Sequence, residues 1–187
     1  LKTKNLADLK NAEKKVIWTA PVNTPYSAEV WAPEFHFING KWYAYFAADN
    51  GNNNTHRMYV LENASKNPMK GKWVFKGKIA AQTDKWAIDG NVFTYKKQLY
   101  MIWSGWEGDA NGQQNIYIAK MKSPTEIDGD RVRIAAPANP WELHGALHDD
   151  VNPPQVNVNE GPQFLSHDDK AFIVFSASGC WTDNYSL

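Results

Sequence analysis

The chain has 187 residues, 43% of them apolar and 21% charged, with Lys+Arg and Asp+Glu at 20 each. That length supports one domain with a sizeable core, and the balanced charge gives no field favouring nucleic acid or an anionic membrane as a partner. The apolar runs fall far short of the roughly 18 residues that span a bilayer, and the first residues carry no signal-peptide pattern. The first residue is Leu1 rather than Met, so upstream residues are expected to have been removed. Cys180 is the only cysteine, which excludes an internal disulfide and a multi-Cys metal site; with no cation near it in sequence, it is expected as a packed core thiol.

Aromatic residues make up 13% of the chain, including nine Trp. They suit half-buried strands, and Trp and Tyr also present flat faces to sugar rings. From the N-terminus, Leu6, Leu9, Ala12 and Val16 suggest a short helix or capped turn running into a strand at 15–18. Pro21 and Pro25 mark a connection. The run Trp31-Ala32-Pro33-Glu34-Phe35-His36-Phe37 then leads to Asn39-Gly40, a strong type I′ hairpin signal because both positions need φ > 0. Beyond it Trp42, Ala44 and Phe46 alternate with Tyr43, Tyr45 and Ala47. Strands at 56–61 and 71–79 complete a four-stranded antiparallel unit.

The pattern then restarts, with strands expected at 91–95, 99–104, 115–119 and 131–134. A third start follows at Asn159-Glu160-Gly161-Pro162-Gln163-Phe164-Leu165, paired with 171–176. Phe37, Phe93 and Phe164 are spaced by about 56 and about 71 positions, and a repeat of that period with four strands per unit points to propeller blades. The fold class expected is therefore all-β, with residues 1–187 a single, incomplete catalytic propeller domain. The remainder of the same domain is its expected partner.

Each unit opens with an acid: Glu34, Asp89 and Glu160. In a propeller the first strand of a blade lines the central channel, so these carboxylates are expected to converge there. Clustered carboxylates raise one another's pKa, leaving one as a general acid and another ionised, as glycoside hydrolysis requires. The bland alternative is a set of acids that cap turns or pair with Lys and Arg.

At Trp31-Ala32-Pro33-Glu34 with His36, Ile88-Asp89 with Phe93, and Asn159-Glu160-Gly161-Pro162, the chain resembles glycoside hydrolase family 43. The resemblance implies a five-bladed β-propeller, of which about two and a half to three blades are present, and an inverting mechanism using no cofactor. It implies Glu160 as general acid, Asp89 as the residue that orients it and tunes its pKa, and a general-base Asp that this chain does not contain. Asp8 is not promoted to that role. A structural ion at the propeller axis is not supported by this chain, and Gly90 stands where many relatives carry Pro.

The substrate implied is an arabinose- or xylose-containing plant polysaccharide or oligosaccharide, cleaved by a secreted or periplasmic α-L-arabinofuranosidase. A β-xylosidase, an endo-arabinanase and a non-catalytic carbohydrate-binding propeller are the alternatives. This chain alone is expected to be inactive. Trp31, Glu34 and Trp106 are candidate sugar contacts, with Trp106 placed in a loop after the second strand of its unit. His144 and His148, followed by Asp149 and Asp150, have the spacing of a metal pair, but Gly145 and the surrounding prolines argue against the helix such a site needs, so no metal site is assigned. His167-Asp168-Asp169-Lys170 is expected as a hairpin turn.

Overall fold

A computed structural model of the chain describes residues 1–110, 113–145 and 156–187. Within them the fold is all-β. The strands are β1 (Ala28–Ile38), β2 (Lys41–Asp49), β3 (Arg57–Asn63), β4 (Val74–Ile79), β5 (Ala87–Tyr95), β6 (Gln98–Trp106), β7 (Gln113–Ser123), β8 (Glu126–Ile127), β9 (Val132–Ala135), β10 (Asn157–His167) and β11 (Lys170–Ala177). β1 to β4 form one antiparallel sheet in chain order, and the rest form a second in the order β11-β10-β7-β6-β5, with β8 and β9 also pairing with β7.

Three hairpins carry the arrangement, and all turn on two residues. Asn39-Gly40 has φ of 49° and 82°, Lys96-Lys97 has 47° and 65°, and Asp168-Asp169 has 48° and 59°. Positive φ at both central positions is the turn geometry that matches strand twist; it comes easily to Asn-Gly and is imposed by strand pairing on the Lys and Asp pairs. Each hairpin also contains an irregularity at the same distance before its turn, and the first has a second one further upstream, between Ala28 and Trp31. The registers slip between Trp31 and Glu34, between Ile88 and Asn91, and between Glu160 and Gln163. These are β-bulges, in which two residues face one on the partner strand, and Ala32, Asp89 and Gly161 take positive φ of 42°, 55° and 59° there.

The turns and bulges establish which residues are equivalent. Glu34, Asn91 and Gln163 match, with separations of 57 and 72 positions. The phenylalanine spacing expected from sequence was one short in each interval, and a slip of one residue moves a side chain to the other face of its sheet. Glu34 is therefore not the counterpart of Asp89 or Glu160. The third hairpin is also not separate from the second unit, because β10 pairs in parallel with β7 at Asn157↔Gln113 and Val158↔Gln114.

The N-terminal segment differs from expectation. Leu6–Asn11 forms a 3-10 helix with no buried residue, since nothing covers Leu6 or Leu9. No strand forms at 15–18; Ile17 and Trp18 instead pack on Ala44, Phe46 and Tyr59 on the outer face of the first sheet. β2 is consequently buried on both faces. Its other face, with Tyr45, meets Met58, Val60, Ile88, Val92, Met101 and Trp103 in the main core between the sheets.

Met101 is 1% exposed in that core. Its replacement by Ala is expected to cost about 2–4 kcal/mol in urea unfolding, the usual range for a cavity left by a buried Met, and a loss below about 1 kcal/mol would contradict the packing described.

Candidate active site

The bulges of β5 and β10 lie side by side at one end of the sheets and open a hollow of about 580 Å³. Its walls include Trp31, Trp86, Ile88, Asp89, Trp106 and Glu160. Trp31, Ile88 and Glu160 occupy one equivalent position, immediately before the bulge residue of positive φ. Asp89 and Gly161 occupy the next. The two strands are joined at this point, where the Gly161 amide donates to Asp89 Oδ2 at 3.1 Å. Asp89 and Glu160, far apart in sequence, thus share one concavity.

Their environment raises the pKa of both. Burial and then the neighbouring Asp89 charge push the Glu160 carboxyl up to about 7. Asp89 is also raised, chiefly by burial and secondarily by the charge of Glu34, while the Gly161 hydrogen bond acts in the opposite direction. Both are carboxylates denied water, and the one lacking an opposing hydrogen bond from the backbone is the one carried close to neutrality.

Glu34 does not line the hollow. It belongs to a polar belt one layer away, built from the three equivalent positions after the bulges. Asn91 Nδ2 donates to Glu34 Oε2 at 2.7 Å and to Gln163 Oε1 at 3.0 Å, and Gln163 Nε2 donates to Glu34 Oε1. His36 Nε2 lies 3.0 Å from Glu34 Oε2. Burial raises the Glu34 pKa, but the hydrogen bonds from His36, Asn91 and Gln163 outweigh it and hold the group below the usual carboxylate range. Glu34 thus stands outside the hollow's lining, as an ionised brace that ties β1, β5 and β10 together.

The two tryptophans are both in the wall but differ in access. Trp31 is 37% exposed, whereas Trp106 is 1% exposed. Trp106 is not a loop residue; it ends β6 and stacks on Trp86 at 4.6 Å with the rings 6° apart. Cys180 is an exposed thiol rather than a core one and also lines the hollow. Burial, then the charges of Glu160 and Asp89, raises its pKa, so it is held as the thiol.

In the loop with the spaced histidines, Glu142 is buried and accepts from the Ala138 and Asn139 amides at 3.0 and 2.7 Å. It serves as an internal cap. His148, Asp149 and Asp150 lie outside the described residues. Among the described residues no group of acids, His and Cys is arranged to hold a metal ion.

Sequence reasoning missed the belt residues Asn91 and Gln163, and also Asp49 and His56 behind Trp31. Aligning the three hairpins on their two-residue turns, instead of on phenylalanines, would have exposed the belt.

The sequence matches Glycosyl hydrolases family 43 over residues 1–187. It is 36% identical over 184 residues to an extracellular exo-α-(1→5)-L-arabinofuranosidase of Streptomyces avermitilis, covering 97% of this chain and 36% of that protein. A protein of the same name from Streptomyces chartreusis is 32% identical over 185 residues, covering 98% of this chain and 53% of that protein. Among solved structures, an α-L-arabinofuranosidase from Lactobacillus brevis gives a TM-score of 0.84 at 34% identity, covering 98% of this chain and 56% of that one. The chain thus spans from about a third to about half the length of these relatives. With its full length matched by the family and its fold shared at that level, the chain belongs to glycosyl hydrolases family 43.

Proposed function

We propose that this chain is part of the catalytic β-propeller of a secreted, inverting α-L-arabinofuranosidase. The observation that carries the reading is Glu160, buried beside Asp89 in a sugar-sized hollow, with its carboxyl pushed up to about 7. A carboxylic acid still protonated near neutrality is what a general acid needs in order to donate to a leaving-group oxygen. The arabinofuranosidase and extracellular names of the Streptomyces relatives support the substrate class and the secreted setting. The antiparallel units support the propeller reading, with five blades in the whole domain and about two and a half to three of them in this chain.

In this scheme the Glu160 hydroxyl gives its proton to the glycosidic oxygen as the bond from that oxygen to the anomeric carbon breaks. Water attacks the anomeric carbon from the opposite face and loses its proton to a base. Asp89, fixed by the Gly161 amide, holds Glu160 in place and keeps its proton on. Among the described residues no other carboxylate lines the hollow, which supports a general-base Asp outside residues 1–187. On this reading residues 1–187 alone are inactive. The aromatic rings in the wall give sugar C–H faces an apolar surface, with Trp31 the more accessible.

Three outcomes test this in the full-length protein. Glu160→Gln is expected to lower kcat on the order of a thousandfold with a poor leaving group and less than about tenfold with an activated aryl arabinofuranoside, because only the former needs protonation. Equal, small losses on both would count against the assignment. Asp89→Asn removes a charge that raises the Glu160 pKa, so the alkaline limb of kcat/KM should move to lower pH; a limb that stays in place contradicts the coupling. The third concerns stability. A raised folded-state pKa means the stability tied to the Glu160 proton is present below pH 4 and lost as pH rises through about 7. Glu160→Gln, which cannot ionise, is therefore expected to raise Tm relative to the parent at pH 8 more than at pH 4, and a pH-independent difference would refute the burial argument.

A further inference from the structure

Trp31 owes its place in the hollow wall to groups the sugar does not reach. Two consecutive irregularities in β1, between Ala28 and Trp31 and between Trp31 and Glu34, isolate this residue from the regular ladder. Glu29 and Ala32 on either side take positive φ of 46° and 42°. Neither is Gly, so the backbone here is strained and must be held by its surroundings.

His56 provides the hold. Its ring stacks behind the Trp31 indole at 4.0 Å with 29° between the planes, and its edge meets Trp86 at 6.0 Å. Trp86 in turn stacks on Trp106, so three of the four rings in this run line the hollow and the imidazole is the one behind them. His56 and Asp49 are both 0% exposed, and His56 Nδ1 lies 3.1 Å from Asp49 Oδ2. The Asn53 carbonyl lies 3.3 Å from Nδ1, and the Glu29 carbonyl lies 3.2 Å from Nε2. Oxygens thus lie near both ring nitrogens, although Asp49 Oδ2 accepts no well-aligned hydrogen bond and meets His56 by proximity alone. Asp49 is fixed through its second oxygen by the Gly51 amide at 2.8 Å. Glu29 holds both rings, its carbonyl facing the imidazole and its carboxylate accepting from Trp31 Nε1 at 3.1 Å.

We propose that Asp49 and His56 are a buried positioning pair that presents the Trp31 indole to the sugar, and so determine substrate affinity without touching substrate. The proposal rests on the glycosidase reading for the nature of the ligand. Its chemistry is that of an arabinofuranosyl ring laid against the open face of an indole whose other face is occupied. A pair that merely supported the fold would affect stability and would be indifferent to whether Trp31 is present.

The test is calorimetric titration of the full-length protein carrying Glu160→Gln, so that the sugar is not cleaved during the titration, with a linear α-1,5-linked arabino-oligosaccharide, alongside steady-state kinetics on the same sugar with Glu160 intact. His56→Ala is expected to weaken binding about tenfold and to raise KM by a similar factor, with kcat within about twofold of the parent. Added to Trp31→Ala it is expected to weaken binding no further, because the two substitutions remove one device. Asp49→Asn keeps the side-chain shape and is expected to weaken binding about threefold, again only when Trp31 is present. Affinity within the error of the parent in both single variants, or losses that add to that of Trp31→Ala, overturns the proposal and leaves the glycosidase reading standing. Should circular dichroism show His56→Ala unfolded, Asp49→Asn decides alone by the same criteria. A parent protein that neither binds nor cleaves arabino-oligosaccharides overturns both readings together.

Discussion

The Gly161 amide donates to the Asp89 carboxylate across two strands whose bulges sit opposite each other, and the remaining features of the site follow from that contact. In a regular strand neighbouring side chains point to opposite faces, so a residue before the irregularity and a residue within it would not meet in one cavity. The bulge removes that restriction by setting two residues against one, which turns Asp89 and Glu160 toward the same hollow from different strands. The local conformation is unfavourable for a residue with a side chain, as Asp89 is held at φ 55°. It persists because the two-residue turns fix both hairpins, and because Ile88 and Val92 on either side of Asp89 are anchored in the core between the sheets.

The three unit-opening acids then acquire different characters from different surroundings. Glu34 receives hydrogen bonds from His36, Asn91 and Gln163 and is held ionised. Asp89 receives one from a backbone amide and is raised by burial and by Glu34. Glu160, buried against Asp89, is carried to about 7. Environment, not residue type, separates a brace, the proposed orienting carboxylate and the proposed proton donor, and the gradient runs from the belt toward the hollow. The cost is a buried charge at high pH in the residue proposed to do the chemistry, which is a usual form of conflict between stability and function.

Much of this was legible in the sequence. The strand runs, the Asn-Gly turn and the pairing of Asp89 with Glu160 as partners rest on signals that survive averaging over a whole unit. What failed was register. Phenylalanines are plentiful on both faces of these strands, so aligning them tolerates a slip of one residue, and reading each acid only as the opening of its unit hid that Glu34 lies two positions after the Asp89 place and three after the Glu160 place. Trp106 was misplaced because the glycines beside it suggest a loop, while stacking on Trp86 keeps the strand going to its last residue. Asp49 and His56 were invisible for a different reason: they flank a polar Asn- and Gly-rich loop, and only the fold shows both side chains enclosed behind Trp31. The parallel contact between β10 and β7 likewise depends on a meeting of distant segments that no local pattern encodes.

The most direct test of the account is a carbon-13 NMR titration of the Glu160 and Asp89 side-chain carboxyl groups. The account predicts a Glu160 carboxyl titrating near 7 and an Asp89 resonance that responds to the same step, because each carboxylate feels the other's charge. A Glu160 carboxyl that titrates at about 4.3, the value of an unperturbed glutamate, with no response from Asp89, would contradict it.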